Sequence, residues 1–451
     1  MKKRLSGKEL TLVTSMLFGM LFGAGNIIFP IHMGQLAGSS IWLAIIGFCV
    51  SGVGLPILGV AALGSSRTDG LAELSGKVGK GYSYFFTCAL YLTIGPFFAI
   101  PRCAAVPFSV GIEPLLPEGV SASLLLAIFS VLFFAAVLWF SLRPSGILTW
   151  VGKVLNPLFL IFLGVLVLTA LIKPMGSISA VEPSAGYESS QALFTGFLDG
   201  YNTLDVLASL AFGIIVVNVI RGQGVQEPGD IASNTLRAGV MTGILMTAVY
   251  LAIALAGVLT RNVYPVSKDG GEAFYVLAHH YFGTAGALIL AAMVTLACLK
   301  TAVGLITSCA ETFVGLFPKG PAYRFWAILF CIISLLFANL GLSKIITYSI
   351  PVLMFLYPLA ITLILLALFG HLFGHDTRVY AWVTGFTFAE ALFDLFKALP
   401  ANALLEKLVG FGRAIFPFFD LGLGWVVPAL IGLVIGLTIH FTQNTQKKQA
   451  A

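Results

Sequence analysis

The sequence predicts an all-α integral membrane protein with about twelve transmembrane helices, and three observations predict it. Charged residues make up 10% of the 451 positions and hydrophobic ones 58%, where a soluble domain carries roughly a quarter charged. The mean hydropathy is +0.99. From Leu10 to Ser66 there is no Asp, Glu, Lys or Arg, enough chain for two crossings of roughly 20 residues each. A membrane barrel would instead alternate polar and apolar residues in short segments.

The N-terminal "MKKRLSGKEL" precedes an apolar run as in a signal peptide. That run is long, lacks a small-residue cleavage site and is followed at once by another, so it reads as an uncleaved first span. Apolar runs between polar breaks then fall at about 10–37, 41–64, 82–108, 122–141, 146–172, 193–220, 236–260, 284–316, 322–340, 346–370, 379–399 and 423–441, which makes twelve. With the N-terminus inside, sixteen Lys and Arg lie on the inner side and eight on the outer, Lys300 standing apart within a run. A twofold bias of this kind sets both termini in the cytoplasm. The outer loops "SKDGGEAFYVLAHHYFG" and "ANALLEKLVGFGR" are expected to form short helices lying on the bundle.

Several function classes are excluded. The net charge of +6 comes from residues at the ends of apolar runs, so it reports topology and not nucleic-acid binding. The six cysteines are scattered singly in apolar segments and indicate neither disulfides nor a metal site. His279 and His280 share an outer loop and the other histidines are isolated near span ends, which gives no metal-binding pattern either. No polar loop exceeds about twenty residues and none carries a nucleotide-binding motif, so neither an enzymatic domain nor an ATPase subunit is called for.

The first run is an unusual helix. "LFGMLFGAGNIIFPIHMG" holds four glycines, an asparagine and a proline, and glycine costs about 1 kcal/mol in a helix interior. A break at Gly23 to Asn26 must face protein, ligand or water, because freed backbone groups are not tolerated in lipid. The competing reading is that small residues let helices pack closely. In the sixth run, Ser209-Leu210-Ala211-Phe212-Gly213 again sets a polar residue and a glycine mid-span. Paired interruptions at corresponding positions point to a transport site.

These segments carry a resemblance. "GAGNIIFP", "SLAFG", "LACLKTAVGLITSCAETF" and, in the third run, "GPFFAIPR" together resemble the BrnQ type of branched-chain amino-acid carrier, the branched-chain amino acid:cation symporter family. The resemblance covers essentially the whole chain. It implies a LeuT-like fold of the amino acid-polyamine-organocation superfamily, a 5+5 inverted repeat with helices one and six broken. The repeats would span about 8–172 and 193–370, with additional helices at about 379–441, in one transporter domain of a bacterial cell membrane.

By that resemblance the substrate is a branched-chain amino acid. Its carboxylate is expected at backbone N–H groups around Gly23, Ala24, Gly25 and Asn26. Its ammonium is expected at the sixth-span break, among Ser209, Ala211 and Gly213, with Phe212 as an aromatic wall. In sodium-coupled relatives one ion is held by carbonyls of the first helix and hydroxyls of the eighth. Aligning "ACLKT" puts Gly19 and Phe22 at the carbonyls, Thr301 at one hydroxyl and Lys300 at the other, while Leu207 stands where those proteins carry a threonine.

Lys300 lies about fifteen residues from either end of its span, too deep for an easy snorkel. One reading is proton coupling, with Lys300 neutralising and recharging as the carrier cycles. The other is a permanently charged lysine paired with Glu311 or helix carbonyls, or sodium coupling through Thr301. Asp205 is a second proton candidate, expected one turn before the sixth-span break, or else a brace for that helix through Asn202. Arg102 is read as an outer gate with an acid such as Glu113, or as an interfacial anchor. Glu390 and Asp394, at four-residue spacing in the eleventh span, are read as an oligomer contact or a lipid-facing rim.

The function these residues imply is import of leucine, isoleucine and valine by alternating access, driven by H+ or Na+, with no cofactor and with membrane lipid as the only other partner. The rivals are a cation or small-solute channel, a LeuT-like carrier for another neutral amino acid, and an intramembrane enzyme. A channel needs rings of polar groups, and an enzyme needs a nucleophile with its base or a metal cluster; the spans show neither pattern.

Overall fold

Ser6 opens helix α1 (Gly7–Leu21) with a reciprocal cap: its hydroxyl accepts from the Glu9 N–H at 3.5 Å, and the Glu9 carboxylate accepts from the Ser6 N–H at 2.8 Å. The structure is a computed structural model. It describes residues 3–450 except Ala24, Arg67, Glu118, Pro144 and Ser145, and only the backbone of 146–157 and 443–450. Helix α1 stops at Phe22, and α2 (Gly25–Ala37) resumes beyond Gly23. A tight turn at Gly38–Ser40 leads to α3 (Ile41–Cys49), which passes through a π-helical segment, Val50–Gly54, into α4 (Leu55–Ser65).

Helix α5 (Leu71–Gly76) precedes α6 (Lys80–Leu92). The segment Thr93–Phe97, non-helical at Gly95 and carrying Pro96, bends the chain into α7 (Ala99–Gly111). Next come α8 (Ala122–Leu142) and α9 (Gly146–Ile172). The sixth apolar run divides into α10 (Gln191–Tyr201) and α11 (Asp205–Gly222). Helix α12 (Pro228–Thr260) is followed by α13 (Gly270–Leu316), bent at Gly283, where φ is +63°. The chain closes with α14 (Tyr323–Ala338), α15 (Leu342–Phe369), α16 (Thr377–Ala398), α17 (Ala403–Ile415) and α18 (Val426–Ala450).

Among the described residues, eight helical runs are long and apolar enough to cross a membrane, and shorter apolar helices cover Leu158–Ile172, Tyr323–Ala338 and Val426–Thr442. Runs and helices therefore do not correspond one to one. The first run is two helices of 15 and 13 residues, each too short to cross a bilayer of about 30 Å by itself. The two outer-loop segments are helical as expected: Gly270 to the Gly283 bend, and α17, of whose residues only Gly412 is buried.

Helix α2 packs on α12, α3 on α10, α4 on α11 and α12, α7 on α13, and α16 on both α15 and α18. Close approach explains one pair of glycines: a Cβ at Gly47 would overlap the Leu193 carbonyl, and one at Gly196 the Ala44 carbonyl. Small residues thus let α3 and α10 meet backbone to backbone. Helix α8 turns Leu124, Ile128, Val131 and Leu132 outward, the apolar face expected toward lipid.

Candidate functional site

The two breaks are built differently. At the first, Gly23 carries no side chain, and its N–H donates to Asn26 Oδ1 at 2.8 Å, which turns the side chain of Asn26 back over the gap. At the second, α10 ends in a tight turn: Asn202, Thr203 and Leu204 donate to the carbonyls of Asp199, Gly200 and Tyr201. The Thr203 hydroxyl also donates to the Gly200 carbonyl at 2.8 Å. Leu204 is left-handed, with φ +65°, a conformation costing a non-glycine residue roughly 1–2 kcal/mol. Asp205 then opens α11, its carboxyl group at the end of the helix dipole that favours an acid.

The breaks meet. Asn26 Nδ2 donates to Asp205 Oδ2 at 2.5 Å and also to the hydroxyl of Tyr250, which itself donates to Asp205 Oδ2 at 3.4 Å. Asn26 and Asp205 are 2% and 3% exposed, so this triad is sealed in the interior. Tyr250 comes from α12, a helix to which the sequence reading gave no role in the site. A single tyrosine in a long apolar run carries no local signal.

Four expectations are corrected. The sixth-span break lies at Asn202–Leu204 and not at Ser209–Gly213, which is continuous helix. Ser209 is fully buried, donates to the Val206 carbonyl at 2.7 Å and fills the space left by Gly59. Gly213 lies against Val60 and Leu63, and the Ala211 carbonyl accepts from Tyr91 at 3.0 Å. The small residues of "SLAFG" therefore serve α4–α11 packing, and Ser209 and Gly213 face α4; none of Ser209, Ala211 and Gly213 lines the cavity of about 510 Å³ beside the first break. The break falls earlier because "GYNT" supplies the turn bonds that end a helix.

Asp205 accordingly follows the break instead of preceding it. Arg102 is neither an anchor nor a partner of Glu113. It is 4% exposed, donates to the Asn202 carbonyl at 2.7 Å and to Ser349 Oγ at 2.6 Å, and sits 5.2 Å from the Phe29 ring centre. Its charge meets the C-terminal end of α10, where carbonyls are unpaired. Glu113 pairs with Lys268 at 2.5 Å. Finally, Glu390 and Asp394, 0% and 3% exposed, form no outer rim.

A cavity of about 510 Å³ lies beside the first break, on the side of the N-terminus, between α1, α9, α11 and α13. It is within the size range of small-molecule sites. Its wall brings together Gly19, Phe22 and Gly23 of the first span, Phe212 of the sixth, and Lys300 and Thr301 of the eighth. Phe18 and Phe22 stack with ring centres 5.0 Å apart, and Phe212 meets Tyr91 edge-on at 6.1 Å. Thr301 Oγ1 donates to the Ala297 carbonyl at 3.1 Å. Lys300 is half-buried on this wall; among the described residues it forms no ion pair, and Glu311 is exposed elsewhere. Gly25 and Asn26 stand at the break, with Gly25 close to the Thr203 carbonyl; Ala24 lies outside the described residues.

A family model described as branched-chain amino acid transport protein matches residues 6–443. The chain is 50% identical over 431 residues to the branched-chain amino acid permease BrnQ of Lactobacillus delbrueckii subsp. lactis, covering 96% of each. To the permease BrnQ of Bacillus subtilis (strain 168) it is 41% identical over 447 residues, 99% of this chain and 100% of that one. Among solved structures it is similar to Mhp1, a nucleobase-cation-symport-1 family transporter in a closed conformation with bromovinylhydantoin bound. The TM-score is 0.58 at 14% identity, with 95% and 92% of the two chains covered. The likeness shows the fold, a LeuT-like arrangement with helices one and six interrupted.

Proposed function

The chain belongs to the branched-chain amino acid transport protein family, and from that premise we propose a secondary active symporter that imports leucine, isoleucine and valine across the cell membrane. The observation that carries this reading is the cavity of about 510 Å³ at the first break, largely apolar and lined by Phe22, Gly23 and Ile27 there and by Phe212 of the sixth span. Discontinuous helices at a midplane cavity are the usual setting of transporter sites. The substrate carboxylate takes the N–H groups at the start of α2, around Gly25 and Asn26, where the helix dipole favours an anion. The ammonium takes Asn202 Oδ1, buried without a partner among the described residues, and the Thr203 carbonyl close to Gly25, while Arg102 holds the Asn202 carbonyl. An apolar side-chain pocket separates homologous aliphatics by only about 1–3 kcal/mol per methylene, so one site serves all three amino acids.

The coupling ion is H+ or Na+, and Lys300 favours the proton. An ammonium without an acidic partner among the described residues, on a cavity wall, is costly, and it stands where a sodium ion would need a neutral hydroxyl. Lys300 loses its proton toward the inside and regains it from the outside, with Thr301 beside it; Asp205, bonded to Asn26 and Tyr250, holds the breaks together. A zwitterion carries no net charge, so each co-transported cation contributes about 2.3 kcal/mol per 100 mV, roughly a fiftyfold concentration ratio. In alternating access the cavity on the N-terminal side closes as the opposite side opens, where Arg102 now bridges α7, the α10 end and α15.

The purified carrier in liposomes, given labelled leucine under an imposed pH or sodium gradient, tests this. Accumulation driven by the pH gradient alone is expected. Uptake that needs sodium and ignores the pH gradient defeats the proton reading, and single-channel currents without trans-stimulated exchange defeat the carrier reading.

A further inference from the structure

Outside the candidate site, the interior of α16 holds a group of charges that the carrier reading does not use. Glu390 and Asp394 stand one helical turn apart, 0% and 3% exposed. Neither carboxylate oxygen of Glu390 has a hydrogen-bond partner among the described residues. Room for that carboxylate is provided by Gly424, where a Cβ would overlap Glu390 Oε1. A separate element, α10, packs against the same turn, with Leu198 close to Gly422. Tyr201, the last residue of α10, is 1% exposed, its hydroxyl is without a partner among the described residues, and it lies within electrostatic reach of Asp394 and Glu390.

The charges around the pair do not balance. On α16 the nearest cation is Lys397, whose Nζ donates to the carbonyls of Phe419 and Asp420 at 2.8 and 3.2 Å. Arg413 of α17 is taken by Asp420 at 2.9 Å. From α15 the facing group is Tyr357, stacked on Tyr201 at 3.9 Å and donating to the Tyr201 carbonyl at 2.8 Å. On α10, Asp199 is bonded to the Tyr187 hydroxyl. The described side chains of α18 supply only His440, which is on Asp376 at 2.7 Å. Among the described residues, two carboxylates against one ammonium leave one buried negative charge, and like charges a turn apart cannot both stay ionised without cost.

We propose that Glu390 and Asp394 together form a proton-binding site, holding one proton between them, and that Tyr201 transmits its occupancy to the break after α10. When the proton leaves, the added charge draws the Tyr201 hydroxyl as a donor. Tyr201 is continuous with Asn202, whose carbonyl holds Arg102, so deprotonation fixes the end of α10 in its present place and slows exchange. Protonation releases it. The site rests on the carrier reading only for this transport consequence.

Infrared difference spectra of the purified full-length protein, acidic minus alkaline buffer, test the site without transport. A protonated carboxyl band that titrates is expected in the wild type and in Asp205→Asn, and is lost in Glu390→Gln/Asp394→Asn. A band unchanged in the double variant overturns the proposal, as does a band abolished by sodium at constant ionic strength, which makes the pair a metal-cation site. Should the double variant not fold, Asp394→Asn alone must shift the band. In liposomes, leucine exchange that falls with rising pH in the wild type is expected to lose that dependence in the double variant and in Tyr201→Phe, the latter keeping its infrared band. A variant that only lowers thermal stability and keeps the wild-type pH profile reduces the pair to a structural role.

Discussion

Asn26 of α2 and Asp205 of α11 are joined by a hydrogen bond of 2.5 Å, so the helices that resume after the two breaks are tied start to start. Residues 179 positions apart thereby form one unit, with Tyr250 of α12 as its third member.

Removing the acid tests how much that unit holds. Asp205→Ala leaves the Asn26 amide bonded to the Tyr250 hydroxyl but takes the carboxylate acceptor from both, at about 1–3 kcal/mol for a buried donor left unsatisfied. A lowered thermal midpoint in detergent is expected. Asp205→Asn keeps the shape and removes the charge. If Asp205 braces the breaks while Lys300 moves the proton, this variant retains both accumulation and exchange; accumulation lost with exchange spared transfers the proton to Asp205.

Lys300→Met keeps the length and apolar stem of the side chain and removes its charge. In liposomes it is expected to abolish pH-driven accumulation of leucine while leaving leucine–leucine exchange measurable, because exchange needs no net proton movement. Accumulation equal to the wild type removes Lys300 from the coupling.

Arg102→Lys preserves the charge and loses the two-armed reach to the Asn202 carbonyl and Ser349 Oγ. Breaking a hydrogen bond to a charged group costs about 1.5–3 kcal/mol. The expected result is a conformational shift: a cysteine introduced on the α7–α15 side becomes more reactive to a water-soluble maleimide. Unchanged labelling means that Arg102 does not close that side.

Gly59→Ala sets a methyl group on Ser209. Overpacking in a well-filled interior costs about 1–3 kcal/mol, and here it pushes α4 from α11. Reduced thermal stability with a near-normal KM for leucine is expected, because Ser209 lies off the cavity wall. A KM raised with stability intact would return Ser209 to the substrate.

Asp376, outside the spans, has its carboxyl held below the ordinary carboxylate value, chiefly by hydrogen bonds from Arg378 and then by His440. A lowered folded-state value means a contribution to stability that is present above the unfolded carboxylate value of about 3.9 and is lost as pH falls further. The midpoint difference between wild type and Asp376→Asn is therefore expected to shrink as pH falls below about 4. A difference that grows below that pH contradicts the assignment.

The sequence by itself determined the class, the fold family and the first break. Apolar runs with sparse charge leave only helices in lipid, and Gly23 with Asn26 interrupts a helix by local chemistry alone. It also named Gly19, Phe22, Lys300 and Thr301 for the coupling cation and Phe212 for the substrate, because motifs on three spans resemble one family, and all five line one cavity. Tertiary structure decided the second break and the partners. Ser209 and Gly213 carry the same local signal as a broken helix, and only the neighbouring α4 shows that their smallness serves packing. Arg102 on Asn202, Tyr250 on Asp205 and Tyr357 on Tyr201 join residues far apart in the chain. Such pairings depend on which helix faces cross, and a buried polar side chain takes whichever partner the packed helices bring within reach.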